Sequence, residues 1–434
     1  MSRPLAAAAG ALTFALAAFS AQAAEPVETY VVRKGDTLYE FGRLYLVRAS
    51  DYRTVARLNG VHDPRRLKVG TTLKVPARML RTRQVEAKVA GFRGAVTATV
   101  GGRTIALTRG AVVTEGAIIA TGPNAFLRLD LPDGTALSIP SQSRIRLGRM
   151  QAVEMTGVVR RELEVQRGRL ESDVTPLQND KDSYTVRTPM SVSAVRGTEF
   201  AVSYDEAENA ARTEVIEGLV SVSQGPSSAA ISASHGAVSS ATGMSGPLPL
   251  PAAPKVLNAG RVQDEPAVRF TIEPAPVTAH QVRLATDAGF VDVLEEITTE
   301  TNTVALEALP DGIYFLRLAA VGESGLVGMP ATYAFERRLN TLDLAAPSTI
   351  REGGIRRYKF RWNVGGEGQR TYRLQLTADG AATPVVDESG LTMQELTVTD
   401  LPPGVYHWRV MSRTYARGSY AEKWSPPERF EIGR

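Results

Sequence analysis

The sequence contains no cysteine. That absence excludes disulfides, a thiol nucleophile, a thiolate metal site and a lipid-attachment cysteine, so every core must hold by packing alone. Histidine is scarce as well. His62, His235, His280 and His407 stand far apart, none with a second ligand at zinc spacing. There is no Walker loop, dinucleotide fingerprint or Gly-x-Ser-x-Gly elbow. Asp180 and Asp182, in Asn179-Asp180-Lys181-Asp182, lack the glycine and distal glutamate of a calcium loop and read as a solvated turn. No carboxylate pair is singled out for glycoside cleavage. Charge of one sign is also lacking: 50 Lys and Arg against 46 acidic residues leave +4, too little and too scattered for a nucleic-acid surface. The expectation is a protein that is not an enzyme, with no cofactor, no metal and no nucleic-acid partner.

Long apolar runs are nearly absent too. Leu5 to Phe19 is Ala-rich and follows a short basic start at Arg3, and Ala21-Gln22-Ala23 offers a small-x-small cleavage site before Ala24. The run is shorter than the roughly 20 residues a spanning helix needs. We expect residues 1–23 to be a signal peptide and the mature chain to be exported to the periplasm, with no membrane span. At 434 residues the chain is too long for one core, so several domains are expected.

Residues 27–78 carry the convincing helical signals. Tyr30-Val31-Val32 reads as a strand and Lys34-Gly35-Asp36 as a turn. Thr37-Leu38-Tyr39-Glu40 has the form of a capping box, and Leu38, Phe41 and Tyr45 follow at helical spacing. Ser50 is placed to cap a second helix carrying Val55 and Leu58, which Asn59-Gly60 ends. Leu73-Lys74-Val75 is a strand closed by Pro76, giving the order βααβ.

From about residue 88 the period becomes two. Leu127, Leu129 and Leu131 alternate with Arg128 and Asp130, and Asp133-Gly134 turns the chain into Leu137 and Ile139. Ile145 and Leu147 alternate with Arg144 and Arg146, and Leu163 and Val165 with Glu162 and Glu164. These charges predict a polar outer sheet face with cross-strand pairs. Strands continue at Tyr184–Thr188, Glu199–Tyr204 and Leu219–Ser223, with a weaker pair in Ile231–Thr242; the Pro-rich stretch 247–254 reads as a semi-rigid linker.

The final 180 or so residues repeat. Leu309-Pro310-Asp311-Gly312-Ile313-Tyr314 matches Leu401-Pro402-Pro403-Gly404-Val405-Tyr406, and Val268-Arg269-Phe270 matches Tyr358-Lys359-Phe360. A module of about 90 residues therefore occurs twice, at 255–338 and 344–434. Tyr314, Leu316 and Leu318, like Tyr406, Trp408 and Val410, should face inward, with Arg317 and Arg409 outward. The length suits a seven-stranded sandwich.

Three resemblances follow from these residues. Tyr30 to Leu38, Leu58-Asn59-Gly60 and Leu67 to Pro76, in that order, resemble a LysM domain over its whole length, with Phe41-Gly42 where that family usually has a smaller aliphatic and Ala. The resemblance implies binding of N-acetylglucosamine-containing glycans, peptidoglycan above all, between two loops: Gly35, Asp36, Thr37 and Leu38 in one, Asn59, Gly60, Val61 and Leu67 in the other. Backbone groups would hold the acetamido and hydroxyl groups, and an apolar patch around Leu38 would take the acetyl methyl. The stretch 88–246 resembles the FecR-type domain through Asp133-Gly134-Thr135, Tyr184 to Pro189, Val195-Arg196-Gly197-Thr198-Glu199-Phe200 and Glu217 to Val220. The best-known members of that family pass an iron-uptake signal to a sigma factor from the inner membrane. The cytoplasmic part and membrane helix they use find no match here, so that role is not expected to carry over. Arg196 and Thr198 are expected to stabilise a buried turn. The repeats resemble fibronectin type III or related immunoglobulin-like sandwiches, which act as spacers or docking surfaces.

The expected architecture is thus a mainly β, multidomain chain: a small βααβ domain, an all-β domain and two β-sandwich repeats. The expected function is an envelope scaffold or adaptor that binds peptidoglycan and another envelope protein. The alternatives are a periplasmic component of a FecR-like signalling system and, less favoured by the empty motif search, a wall hydrolase.

Overall fold

A computed structural model describes residues 26–307 and 309–433. The expected signal peptide, residues 1–23, lies outside the described residues. The chain divides into two compact units: the residues up to Arg83 with Ala152–Val158, and Gln84–Gln151 with everything from Val159 on. No helix among the described residues is long and apolar enough to cross a membrane.

The first unit has the expected order: β1 (Val27–Val31), α1 (Leu38–Tyr45), α2 (Tyr52–Leu58) and β2 (Thr72–Pro76). The two strands pair antiparallel, Tyr30 opposite Leu73. Thr37 Oγ1 accepts from Glu40 N at 3.1 Å, but the Glu40 carboxylate takes Arg43 at 3.1 Å, so only half of the expected capping box forms. Ser50 does not cap α2. It lies within a 3₁₀ turn, Ala49–Asp51, that leads straight into the helix. Gly42 explains why that turn sits where it does. A Cβ there would come within 2.5 Å of the Ala49 carbonyl oxygen and 3.1 Å of Tyr52 Cβ, so only glycine admits the turn against α1. Phe41 fills the other side, its ring 5.0 Å from Tyr30 and 5.4 Å from Tyr45. On α2, Val55 and Ala56 are buried while Leu58 is exposed.

The core of this unit draws on sequence far from 27–78. Val153 and Val158 are buried in it and Met155 packs against it. Glu154 N donates to Arg81 O at 3.0 Å, and Arg81 in turn donates from Nε to Leu46 O at 2.8 Å. A turn between two long strands thereby closes the small domain.

The second unit begins with an all-β body. Its strands close into a barrel with many cross-pairings. The 15-residue strand Val159–Asp173 serves two neighbours: residues 160–164 pair in parallel with Ser183–Arg187, and residues 168–173 pair antiparallel with Glu199–Asp205. The predicted alternation is borne out, with Leu127, Leu129, Leu137, Ile139, Ile145, Leu147, Leu163 and Val165 all fully buried. The outer charges do pair across strands, Arg187 with Glu162 at 2.7 Å and Arg146 with Glu164 at 3.7 Å. Such exposed pairs contribute little stability. Residues Gly243–Pro249 form a strand paired with His235–Ser240, so the chain leaves the sheet only at Leu250.

Two sandwiches follow. The first has strands Val268–Thr271 and Thr303–Leu306 facing a sheet of Val293–Thr299, Ala279–Ala285, Gly312–Val321 and Ala331–Arg337. Its described strands number six, one fewer than expected, and a bridge from Val256 to Ile272 stands in for a seventh. The second has eight, in sheets of three and five. The repeated Tyr314 and Tyr406 do the same work in each: both rings are buried, and each hydroxyl donates to a proline carbonyl four residues back, Pro310 at 2.9 Å and Pro402 at 2.8 Å. Trp362, Trp408 and Phe360 fill the second core.

Candidate functional site

The loop after β1 is built by Asp36. Its carboxylate accepts from Arg33 N at 2.7 Å and from the Tyr30 hydroxyl at 2.8 Å. Burial first, then the Asp36 carboxylate, pushes the Tyr30 hydroxyl up to about 12. Gly35 precedes at φ 96, with open space where a Cβ would be. Thr37 caps α1, and Leu38 N donates to Pro64 O at 3.0 Å. That one bond ties the loop at 35–38 to the loop at 59–67.

The second loop is anchored by Asn59. Its amide donates to Val55 O and Lys74 O, both at 2.8 Å, and its oxygen accepts from Lys74 N at 2.7 Å. Gly60 is exposed, and Val61 and Leu67 are half-buried against the core. The eight residues expected at a glycan site therefore lie on two hydrogen-bonded loops. Their side chains are largely spoken for: Asp36, Thr37 and Asn59 hold the turns, and Leu38 is wholly buried. On these loops Gly35 and Gly60 are exposed, as are the side chains of Tyr39, Leu58 and Val69, which flank the loops in the sequence.

Residues 30–76 match the LysM domain. Residues 117–221 match the FecR protein family. Both families are binding or regulatory domains typical of the bacterial envelope, and LysM is the glycan-binding one. No curated protein matches the chain. Among solved structures, a protein described as an anti-sigma factor from Parabacteroides distasonis is 20% identical over 30% of this chain, with a TM-score of 0.25. The chain spans 57% of that structure. A two-domain fibronectin type III segment of chicken tenascin is 13% identical, over 43% of this chain and 99% of its own, with a TM-score of 0.23. Fibronectin(III)-like modules of CbhA from Clostridium thermocellum are 15% identical, over 41% and 90%, at 0.21.

Within the FecR-type match, Thr198 is buried, exchanges backbone bonds with Val174 and donates from Oγ1 to Leu219 O at 3.3 Å. Arg196 departs from expectation. It is exposed and pairs with Asp180 at 2.9 Å, while Asp182 accepts from the backbone of Val159 and Asn179.

Sequence reasoning missed a second cluster. Arg283 of the first sandwich reaches Glu171 of the barrel at 2.9 Å and Glu296 at 3.3 Å; Arg169 reaches Glu171 at 3.2 Å and the fully buried Glu214 at 3.1 Å. Burial acts to raise the Glu171 carboxyl, but the Arg283 and Arg169 guanidiniums overcome it and hold it at about 2. Glu199 is raised, by burial and by Asp173, and burial lowers Arg317. The one signal was that Arg169, Glu171 and Asp173 alternate with Leu170 and Ser172, a pattern that reads as a solvent face. A period of two cannot tell water from a neighbouring charged sheet.

Proposed function

We propose that this chain is an exported, non-enzymatic scaffold of the bacterial envelope. It holds the N-acetylglucosamine backbone of peptidoglycan on the loops 35–38 and 59–67 and offers its β-domains to another envelope protein. The observation that carries the reading is the match of 30–76 to a LysM domain whose two loops are joined through Leu38 and Pro64. Such loops recognise an uncharged sugar by short backbone hydrogen bonds and apolar contact, which salt screens little. Binding by charge alone would fade as the screening length falls to about 3 Å at 1 M salt. The full chain should therefore co-sediment with insoluble peptidoglycan at low and high salt, and chitin oligomers should compete. The wall itself should remain undigested. Loss at high salt, with no effect of chitin oligomers, would reduce the binding to charge adhesion. One shallow site should bind weakly, at about micromolar to millimolar strength, and firmer attachment then needs a second contact.

The FecR match supports a second reading, a periplasmic component of a regulatory system. The two separate genetically. A regulator should alter sigma-factor-dependent transcription even when the glycan loops are disabled, whereas a scaffold should not.

A further inference from the structure

Where the first sandwich meets the barrel, both facing sheets carry rows of charge. On the barrel, Ser138, Glu171 and Ala201 stand side by side across strands, and Ala136, Asp173 and Glu199 form the next row. On the sandwich, Glu296, Arg283, Arg317 and Thr332 form a row of their own. Between them lies a cavity of about 320 Å³, open to solvent. That is the small end of the range for ligand sites.

The charges around this cavity are only partly paired. Although the buried Nε of Arg283 has no hydrogen-bond partner among the described residues, Arg283 and Arg169 are ion-paired with Glu171, Glu296 and Glu214. Arg317 is not. Its guanidinium rests 4.2 Å from the centre of the Phe290 ring, and Nε makes one long bond to Thr332 Oγ1 at 3.4 Å. Both terminal nitrogens lack a hydrogen-bond partner among the described residues. Across the cavity Asp173 and Glu199 are direct ladder neighbours, and neither has a cation within ion-pair distance among the described residues. Adjacent carboxylates in a ladder repel. A free guanidinium fork is shaped for a carboxylate.

We propose that this cavity binds a small zwitterion, a free amino acid or the end of a short peptide, its carboxylate on Arg317 and its ammonium between Asp173 and Glu199. A simple anion would leave the acidic pair in repulsion, and a simple cation would leave Arg317 without a partner. Only a ligand with both charges satisfies both walls. The cavity has room for on the order of ten waters, enough for one or two residues. This site stands or falls separately from the glycan loops.

Isothermal titration calorimetry on the full chain tests it with alanyl-alanine as the probe. N-acetyl-alanyl-alanine lacks the ammonium, and alanyl-alanine amide lacks the carboxylate. Alanyl-alanine should bind saturably, and blocking either end should weaken it by about tenfold or more, the scale of a lost charge-assisted hydrogen bond. Arg317→Gln should erase the preference for free acid over amide while keeping the preference for free amine. Glu199→Gln should do the reverse. A misfolded variant would lose both preferences together, and circular dichroism checks each fold. Stem-peptide fragments released from peptidoglycan form a further arm: tighter binding than alanyl-alanine assigns the site to the wall, and equal binding assigns it to free peptides. No saturable binding of alanyl-alanine or stem peptides, or affinity indifferent to both blocked ends, overturns the proposal.

Discussion

Gly35 and Gly42 are both glycine for reasons that a single substitution separates. At Gly35 a new Cβ would meet nothing within 4 Å, so alanine there is opposed by the positive φ alone. We expect Gly35→Ala to destabilise the first unit by about 1–2 kcal/mol, and Gly35→Val by more, because left-handed backbone disfavours any side chain and a branched one most. In the sedimentation assay the valine variant should lose peptidoglycan binding while retaining its circular dichroism spectrum. Gly42 is the opposite case. It lies inside α1, where alanine is the better helix former by about 1 kcal/mol. The Ala49 carbonyl 2.5 Å from the added Cβ should nevertheless make Gly42→Ala destabilising in thermal denaturation. A stabilised Gly42→Ala protein would mean that the 3₁₀ turn yields freely and that the contact is slack.

The turn at 152–158 shows what a pattern of alternation can and cannot announce. Burial at Leu127, Leu129, Ile145, Leu147, Leu163 and Val165 was legible because a half-buried strand repeats every two residues. The loop positions of the LysM segment were legible because turn and cap residues have local reasons to stand where they do. Ser50 misled because its position suited a cap, while close packing against Gly42 drew it into a 3₁₀ turn. The strand Gly243–Pro249 was hidden by its prolines, although Pro247 falls at a bulge in the ladder and Pro249 ends the strand, places that tolerate them. Nothing local at Val153, Met155 or Val158 says that they complete a core whose other residues lie about 70 to 130 positions earlier. This makes the small domain discontinuous, with a measurable consequence. Val158→Ala should destabilise the first unit by about 1–3 kcal/mol through lost burial and the cavity left behind. Tryptophan fluorescence should not register that loss, because Trp362, Trp408 and Trp424 all lie in the last sandwich. A fragment ending at Arg83 should melt lower than the same segment in the intact chain. Equal melting would show that the turn merely rests on a core already complete.

Across the second unit, the barrel and the first sandwich are joined by charge, and charge makes their union depend on pH. Two carboxyls there act in opposite senses. Glu171 is held at about 2, far below the unfolded value near 4.5, so its contribution is complete above pH 4.5 and is lost as pH falls toward 2. Glu199 is raised, so its contribution is complete below the unfolded value and is lost as pH climbs through the folded one. The groups facing them are Arg169, Arg283, Arg317, Asp173, Glu214, Glu217 and Glu296; the arginines stay charged throughout, so the carboxyls set the response. Many other carboxyls titrate in acid, so the raw stability curve cannot isolate this pair, but a difference curve can. The gap in unfolding free energy between the wild type and Glu171→Gln should be of order 2–3 kcal/mol and flat above pH 5, since Glu171 is mostly shielded from solvent. It should shrink steadily between pH 4.5 and 2, where the wild-type carboxyl takes up the proton the amide mimics. The corresponding gap for Glu199→Gln should run the other way, with the variant gaining on the wild type as pH rises above the acid range. A Glu171 difference that stays constant to pH 2 would mean that its carboxylate is not what binds Arg283 to the barrel, and the other contacts, among them the Arg109–Asp292 pair and the bond from Val327 N to Glu214, would then have to hold the sandwich in place.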